Sequence, residues 1–284
     1  SIYRAVVWVD AGNPKANNKG NTPMTTNQIQ FTDGAAYERY MGVWSQLAGN
    51  AFLDWLAPKP NQQWLDVGCG NGAFTQMIVD RCAPNSIDGI DPAEAQLVYA
   101  RSVPKLSNAN FQQGDAMNLP YQNNNFDIAV MPLVIFFVPN PAQGVAEMVR
   151  VVKSGGTVTA YGWDLMGGGF PYEVLRQELK ARNISAPLPP SPNASSQENL
   201  YQLWSQAGLQ NIEQKEIIVE RTFSSFDEYW SIVMVAPSLG ATLAAMPTDD
   251  LLTFKEAVRN RVHINDNGEV VCSGRANAVR GVVA

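Results

Sequence analysis

A single histidine, three cysteines and no cluster of lysine or arginine in 284 residues narrow the chemistry before any motif is read. Cys69, Cys82 and Cys272 are odd in number and none stands in C-x-x-C spacing, which disfavours both a disulfide framework and a zinc site. Three small apolar residues in a reducing cytoplasm are the simpler account, so a cytoplasmic location and no bound metal are expected. The missing basic patch, together with a formal net charge of −6, removes the electrostatic footprint that nucleic acid requires. No apolar run approaches the length of a membrane span. His263, the one imidazole, lies in a polar stretch between Arg261 and Asn265, where a surface position is expected rather than a catalytic one.

What is present is a globular composition, with 45% apolar and 16% charged residues. Residues 1–23 run from Ser1 through an Asn/Gly/Lys-rich stretch to Met24, which looks like a natural start; they are expected to be a vector-derived or disordered extension. Residues 24–284 are expected to form one domain. Trp44, Leu47, Ala48, Ala51, Phe52 and Trp55 recur at three- and four-residue steps, predicting an amphipathic helical cap over about 35–57. Strands are then predicted at 63–67, 86–90, 110–113, 126–131 and 157–162, alternating with helices, which implies a parallel sheet covered on both faces. Asp91-Pro92 reads as a helix start, with Asp91 as N-cap and Pro92 at the first helical position. After Asp164 the alternation breaks. Gly167 to Gly169, a helix near 173–182 and the proline-rich stretch 187–192 suggest a lid insertion over about 164–196. A helix at 197–207, a strand at 211–220 and a last strand starting at 269 complete the pattern.

The segment Trp64-Leu-Asp-Val-Gly-Cys-Gly-Asn-Gly72 carries the most information. A glycine turn between strand and helix normally offers free amides to the pyrophosphate of a dinucleotide. Asp66 argues against that ligand, because two like charges ~4 Å apart at an effective dielectric near ~20 repel by ~4 kcal/mol. The same carboxylate suits an ammonium or a sulfonium, and the glycine spacing departs from G-x-G-x-x-G. Both features favour S-adenosylmethionine over a nicotinamide or flavin dinucleotide. Acids stand at three successive strand ends: Asp66, Asp91 and Asp115. Asp91 is placed to accept from ribose hydroxyls; Asp115 is placed to accept from an adenine amine while the Ala116 or Met117 amide donates to a ring nitrogen. Each acid also has a plain role, in capping or in a solvated turn, so the weight lies on the combination.

With Leu65-Asp-Val-Gly-Cys-Gly-Asn-Gly72, Gly89-Ile-Asp-Pro92, Gly114-Asp-Ala-Met-Asn-Leu-Pro120, Phe126-Asp127 and Lys153-Ser-Gly-Gly156, the chain resembles class I S-adenosylmethionine-dependent methyltransferases, in the broad group that includes the ubiquinone and menaquinone enzymes. The resemblance implies a Rossmann-like, doubly wound α/β fold whose seven-stranded sheet is mostly parallel with an antiparallel last strand. It implies cofactor contacts at Asp66, Gly68, Gly70, Asp91, Asp115, Ala116 and the chain near Leu133, with Cys69, Pro92 and Met117 beside them. Tyr37-Glu-Arg-Tyr40 resembles the segment that folds over the cofactor, so Tyr37 and Tyr40 become candidate wall residues, with helix packing as the even alternative.

Strand four leads into Met131-Pro-Leu-Val-Ile-Phe-Phe137, without the Asn/Asp-Pro-Pro-aromatic turn that grips planar amines. An apolar small molecule is therefore the expected methyl acceptor, taken by in-line displacement to O or C, with S-adenosylhomocysteine as product. Trp163, Phe170, Tyr172, Tyr229 and Trp230 are candidates for an aromatic acceptor pocket, with core packing an equal alternative. Asp164, after strand five, is the best-placed candidate acid or base. The scarcity of bases leaves open a non-catalytic S-adenosylmethionine-binding protein with a regulatory or assembly role, whereas Asp66 disfavours a dinucleotide oxidoreductase.

Overall fold

The structure is a computed structural model that describes residues 38–284 apart from residue 238. The extension expected over 1–23 and the candidate Tyr37 lie outside the described residues. A π-helical turn, Glu38–Gly42, leads into α1 (Val43–Leu56). Trp44, Ala48, Phe52 and Leu56 recur every four residues on α1 and are all buried. That stripe seats the helix on the sheet, and Phe52→Ala would cost ~3–5 kcal/mol through lost transfer energy and the cavity left behind. The helix stops at Ala57, which takes a left-handed conformation (φ 44°) and returns its N–H to Leu53 O.

Five strands and three α-helices follow: β1 (Gln63–Val67), α2 (Ala73–Cys82), β2 (Ser86–Asp91), α3 (Glu94–Ser102), β3 (Asn110–Gln113), β4 (Phe126–Pro132), α4 (Pro141–Val151) and β5 (Val152–Trp163). Beyond them lie α5 (Glu173–Ala181), α6 (Gln197–Gln206), β6 (Gln210–Phe223), α7 (Phe226–Met234), α8 (Leu239–Ala244), α9 (Thr248–Arg259), β7 (His263–Ile264) and β8 (Val270–Val282). The sheet has eight strands rather than the expected seven. Seven run in the order β3-β2-β1-β4-β5-β8-β6, and the two-residue β7 pairs with β8 as a short extra rung. Strands β1 to β5 pair in parallel, and β8 lies antiparallel between β5 and β6.

The central strands β1 and β4 are buried on both faces, and β4 is accordingly apolar almost throughout, whereas the edge strand β3 is largely exposed. In β4, Ile128 and Val130 enter one core while Ala129 and Met131 enter the other, which is the two-residue alternation of a strand covered on both sides. Helices α1, α2, α5, α7 and α9 pack on the first face; α4 and α6 pack on the second. The strand order reverses between β1 and β4, which makes the C-terminal end of β1 the topological switch point where such sheets bind ligands.

Three boundaries differ from the sequence expectation. Helix α3 begins at Glu94, with Ala93 as its N-cap residue, so Asp91 stays in the strand and Pro92 precedes the helix. Strand β5 starts at Val152, five residues early, and carries Gly155 at φ 79° within it. Helices α7, α8 and α9 form a second helical excursion between β6 and β7, additional to the lid expected over 164–196.

Candidate functional site

The turn after β1 is built by three glycines at positive φ: Gly68 (76°), Gly70 (53°) and Gly72 (83°). A Cβ at Gly68 would stand 2.6 Å from Val134 Cγ2, so glycine there allows both the left-handed turn and the close approach of the β4 exit. Most of the turn's amides are already occupied. Gly68 N–H and Cys69 N–H donate to Ile90 O at 2.7 and 3.0 Å, and Gly72 N–H donates to Cys69 O at 2.9 Å. Gly70 N–H donates to Asp91 Oδ2 at 2.9 Å. A phosphate nest needs such N–H groups unspent; here they lock the turn to the end of β2.

The three acids stand where the strand ends were expected to carry them. Asp66 pairs in register with Gly89 of β2 and Val130 of β4, is fully buried, and accepts the Thr75 hydroxyl at 2.7 Å. Thr75 escaped the sequence reading; its only signal is a hydroxyl on the otherwise apolar stripe of Phe74, Met77 and Ile78. Asp91 pairs with Gln113 at the end of β3 and accepts from Gly70 N–H and Ala93 N–H. Asp115, two residues past β3, accepts Met117 N–H at 2.7 Å. Asp91 lies two residues beyond the register partner of Asp66 and Asp115 two beyond that of Asp91, so on strands ~4.8 Å apart the three acids step outward along the C-terminal edge. Asp115 corrects one expectation: the Met117 amide closes a turn on Asp115 and is not held out for an adenine nitrogen. Ala116 is fully buried in that turn, and Pro92 O accepts from Gln113 Nε2 at 2.8 Å, tying β2 to β3.

At the end of β4 the chain turns through Leu133, a non-glycine residue at φ 57° whose N–H donates to Tyr161 O at 2.7 Å. Leu133 also lines a cavity of about 160 Å³ with Tyr40, Met41, Phe136, Phe137, Trp163 and Phe170 among its walls, closed on one side by Ala186 to Pro189. Tyr40 stacks on Tyr172 at 4.2 Å between ring centroids. Of the five aromatic residues considered for an acceptor pocket, Trp163 and Phe170 line this cavity. Tyr172, Tyr229 and Trp230 are buried in the packing behind it. Burial pushes the Tyr172 and Tyr229 phenols above their usual range, so neither is a ready base.

Asp164 does not line the cavity. Its carboxylate accepts from Arg275 Nη2 at 2.9 Å and from Gly167 N–H at 3.0 Å, pinning the chain that leaves β5 to β8. His263 is exposed on the short strand β7, as its polar surroundings suggested. Arg176 is a cavity-lining residue that sequence reasoning missed, since Glu173 and Arg176 three apart on a helix read as a surface ion pair.

The doubly wound sheet carries a glycine turn at its switch point and acids on the neighbouring strand ends, the arrangement that the resemblance to class I S-adenosylmethionine-dependent methyltransferases implied. Comparison with known proteins agrees: residues 65–160 match the family described as a methyltransferase domain. The chain is similar to the ubiquinone/menaquinone biosynthesis C-methyltransferase of Roseobacter denitrificans, at 32% identity over 110 residues, which are 37% of this chain and 44% of that enzyme. It is similar to the demethylmenaquinone methyltransferase of Desulfitobacterium hafniense at 35% identity over 107 residues, 36% of this chain and 42% of that one. The match thus spans less than half of either relative. Among solved structures, phosphoethanolamine N-methyltransferase 2 of Haemonchus contortus in complex with S-adenosylmethionine shares the fold, with a TM-score of 0.54, 16% identity, and coverage of 87% of this chain and 56% of that one.

Proposed function

We propose that the protein transfers the methyl group of S-adenosylmethionine to a small hydrophobic acceptor, at oxygen or carbon, within the cavity beside Leu133. The observation that carries this reading is the continuity at the exit of β4. Val134 packs on the glycine turn, and its neighbour Leu133 lines the apolar cavity, so one short segment joins a charged cradle to a dry pocket.

The donor set fits the cofactor. Carboxylates on three adjacent strand ends accept hydrogen bonds and favour positive charge, which suits a ligand carrying an ammonium, a sulfonium and ribose hydroxyls. Asp91 is assigned the ribose hydroxyls, Asp66 the positive end by way of the turn that includes Gly68, Cys69 and Gly70, and the Asp115 to Met117 turn, with Pro92 beside it, the adenine. Tyr40 and Leu133, which line the cavity, are assigned the border between this cradle and the acceptor. When bound, the sulfonium supplies an electrophilic methyl group. The chain's own contribution is orientation and exclusion of water: Phe136, Phe137, Trp163 and Phe170 wall off the cavity, and holding two reactants in line is worth ~7–11 kcal/mol.

The test pairs binding with turnover. S-adenosylhomocysteine is expected to raise the melting temperature by mass action while NAD does not. Radiolabelled methyl is then expected to pass to at least one member of a panel of quinols, phenols and fatty-acid-like acceptors. A shift with NAD alone would overturn the cofactor reading; cofactor binding without transfer to any acceptor would identify a binding protein instead.

A further inference from the structure

Among the described residues that line the cavity, Arg176 is the one charged side chain. Its guanidinium, and not only its stem, lies at that wall. Nη1 donates to the carbonyl of Leu165 at 2.8 Å, and the guanidinium carbon sits 5.9 Å from the ring centroid of Phe170; both of these neighbours line the cavity as well. Nη1 also donates to Glu173 Oε2 at 3.1 Å. Both hydrogen bonds leave from Nη1, so the Nε and Nη2 edge makes none with the described residues. The side chain is 20% exposed, and neither Nε nor Nη2 is fully enclosed, so that edge is open to a ligand.

A guanidinium fixed through one nitrogen presents its other edge as a rigid two-pronged donor, the geometry that a carboxylate matches with two parallel hydrogen bonds. Placed in a wall of aromatic, aliphatic and proline side chains, it selects a ligand with an apolar body and one anionic group. We infer that the acceptor bound in this cavity is a hydrophobic monoanion, a carboxylate or similarly acidic oxyanion on a ring or short chain, held by Arg176. The inference rests on reading the cavity as the acceptor site. A carboxylate held by two hydrogen bonds has its charge tied up, so Arg176 grips a handle on the acceptor and the methylated atom is a different one. The volume agrees with a compact ligand, since a dry cavity of ~150 Å³ admits one aromatic ring.

Cinnamate and cinnamyl alcohol share a skeleton and differ in charge, so they serve as probes. Binding of each is measured by titration calorimetry or ligand-observed NMR to the full chain with S-adenosylhomocysteine present, for wild type, Arg176→Gln and Arg176→Lys. Cinnamate is expected to bind wild type at least about tenfold more tightly than the alcohol. Arg176→Gln should abolish that preference while leaving alcohol binding unchanged, and Arg176→Lys, which keeps a point charge but loses the fork, should fall between. Equal binding of the two probes to wild type, binding of neither, or an equal loss of both in Arg176→Gln overturns the inference, the last because Arg176 would then serve only to pin the segment that follows β5. In each of these outcomes S-adenosylhomocysteine still binds; failure of that binding instead removes the methyltransferase reading itself.

Discussion

The rim of the sheet divides into two regions that are built by different means. Over β1 to β3 the strand ends carry Asp66, Asp91 and Asp115, each holding a hydroxyl or backbone N–H: Thr75 on the first, Gly70 and Ala93 on the second, Met117 on the third. Over β4, β5 and the segment that follows β5 the rim is an apolar hollow with one cation among the described residues of its wall. The first region is preorganised by short-range chain geometry: glycines that must adopt positive φ, and carboxylates that close turns around themselves. The second is assembled from distant segments, since α1, the β4 exit, the segment that follows β5 and the start of α8 each give it a wall. A site made of turns holds one ligand scaffold, whereas a hollow made of packed side chains can be reshaped without disturbing the turns. That separation suits a domain that keeps one cofactor and changes its acceptor.

Asp91→Asn breaks the first region most sharply. Asparagine keeps the shape but sets an amide where Asp91 Oδ2 accepts from Gly70 N–H, and it removes the charge proposed to receive two ribose hydroxyls. Hydrogen bonds to a charged acceptor are worth ~1.5–3 kcal/mol each, so affinity for S-adenosylhomocysteine should fall about a hundredfold or more. Cinnamyl alcohol should still enter the hollow. Calorimetric titration of both ligands checks this; parallel losses would show that the two regions are one cooperative unit.

The same division explains what could be read from the chain. Strands β1 and β4 follow from buried apolar runs, and the Asn140-Pro141 start of α4 is capped as its residues suggest, whereas β3 has only Phe111 as an apolar signal. Where a long-range partner competes with a local signal, the local signal loses. Asp91-Pro92 has the form of a helix start, yet Asp91 answers to Gly70 N–H, 21 residues away, and the helix begins at Glu94. Asp164 ends β5 as the other acids end their strands, but Arg275, 111 residues later, claims it. Phe226, Tyr229, Trp230 and Val233 repeat at helical spacing, so α7 is written in the sequence. Its destination behind Tyr172 is not, because periodicity names a face and never its partner.

Asp164 stands at the border between the two regions, and Asp164→Asn sharpens where that border lies. Loss of the ion pair with Arg275, both partly exposed, should cost roughly 1 kcal/mol and lower the melting temperature by a few degrees. Turnover with any acceptor found should stay within a few-fold of wild type. A general base would contribute ~10²–10⁴ in rate, so a loss of that size, with a pH–rate profile that loses its acidic limb, would return Asp164 to the chemistry.

The smallest effect concerns how the first region is held to its helix. Glu147 on α4 accepts from Arg150 Nε and Nη2 at 2.8 and 2.7 Å and from Leu119 N–H at 2.7 Å. Arg150 in turn donates to Leu119 O and Tyr121 O at 2.9 and 2.8 Å. The pair therefore staples the loop that leaves the Asp115 turn. The Arg150 hydrogen bonds, with that from Leu119 N–H, hold the Glu147 carboxyl below its usual pKa against the opposing effect of burial. A carboxylate depressed in the folded state stabilises the fold above its unfolded pKa, near ~4.3, and that contribution is lost as pH falls through the lower folded value. Glu147→Gln should therefore melt earlier than wild type at neutral pH, by about 1 kcal/mol of stability, and the two melting curves should converge once the pH falls below the lowered folded-state value. Because the staple ends on the loop after Asp115, the variant should also weaken S-adenosylhomocysteine by a small factor without touching the hollow. A melting difference that persists unchanged into acid would mean that Glu147 acts by packing rather than by charge.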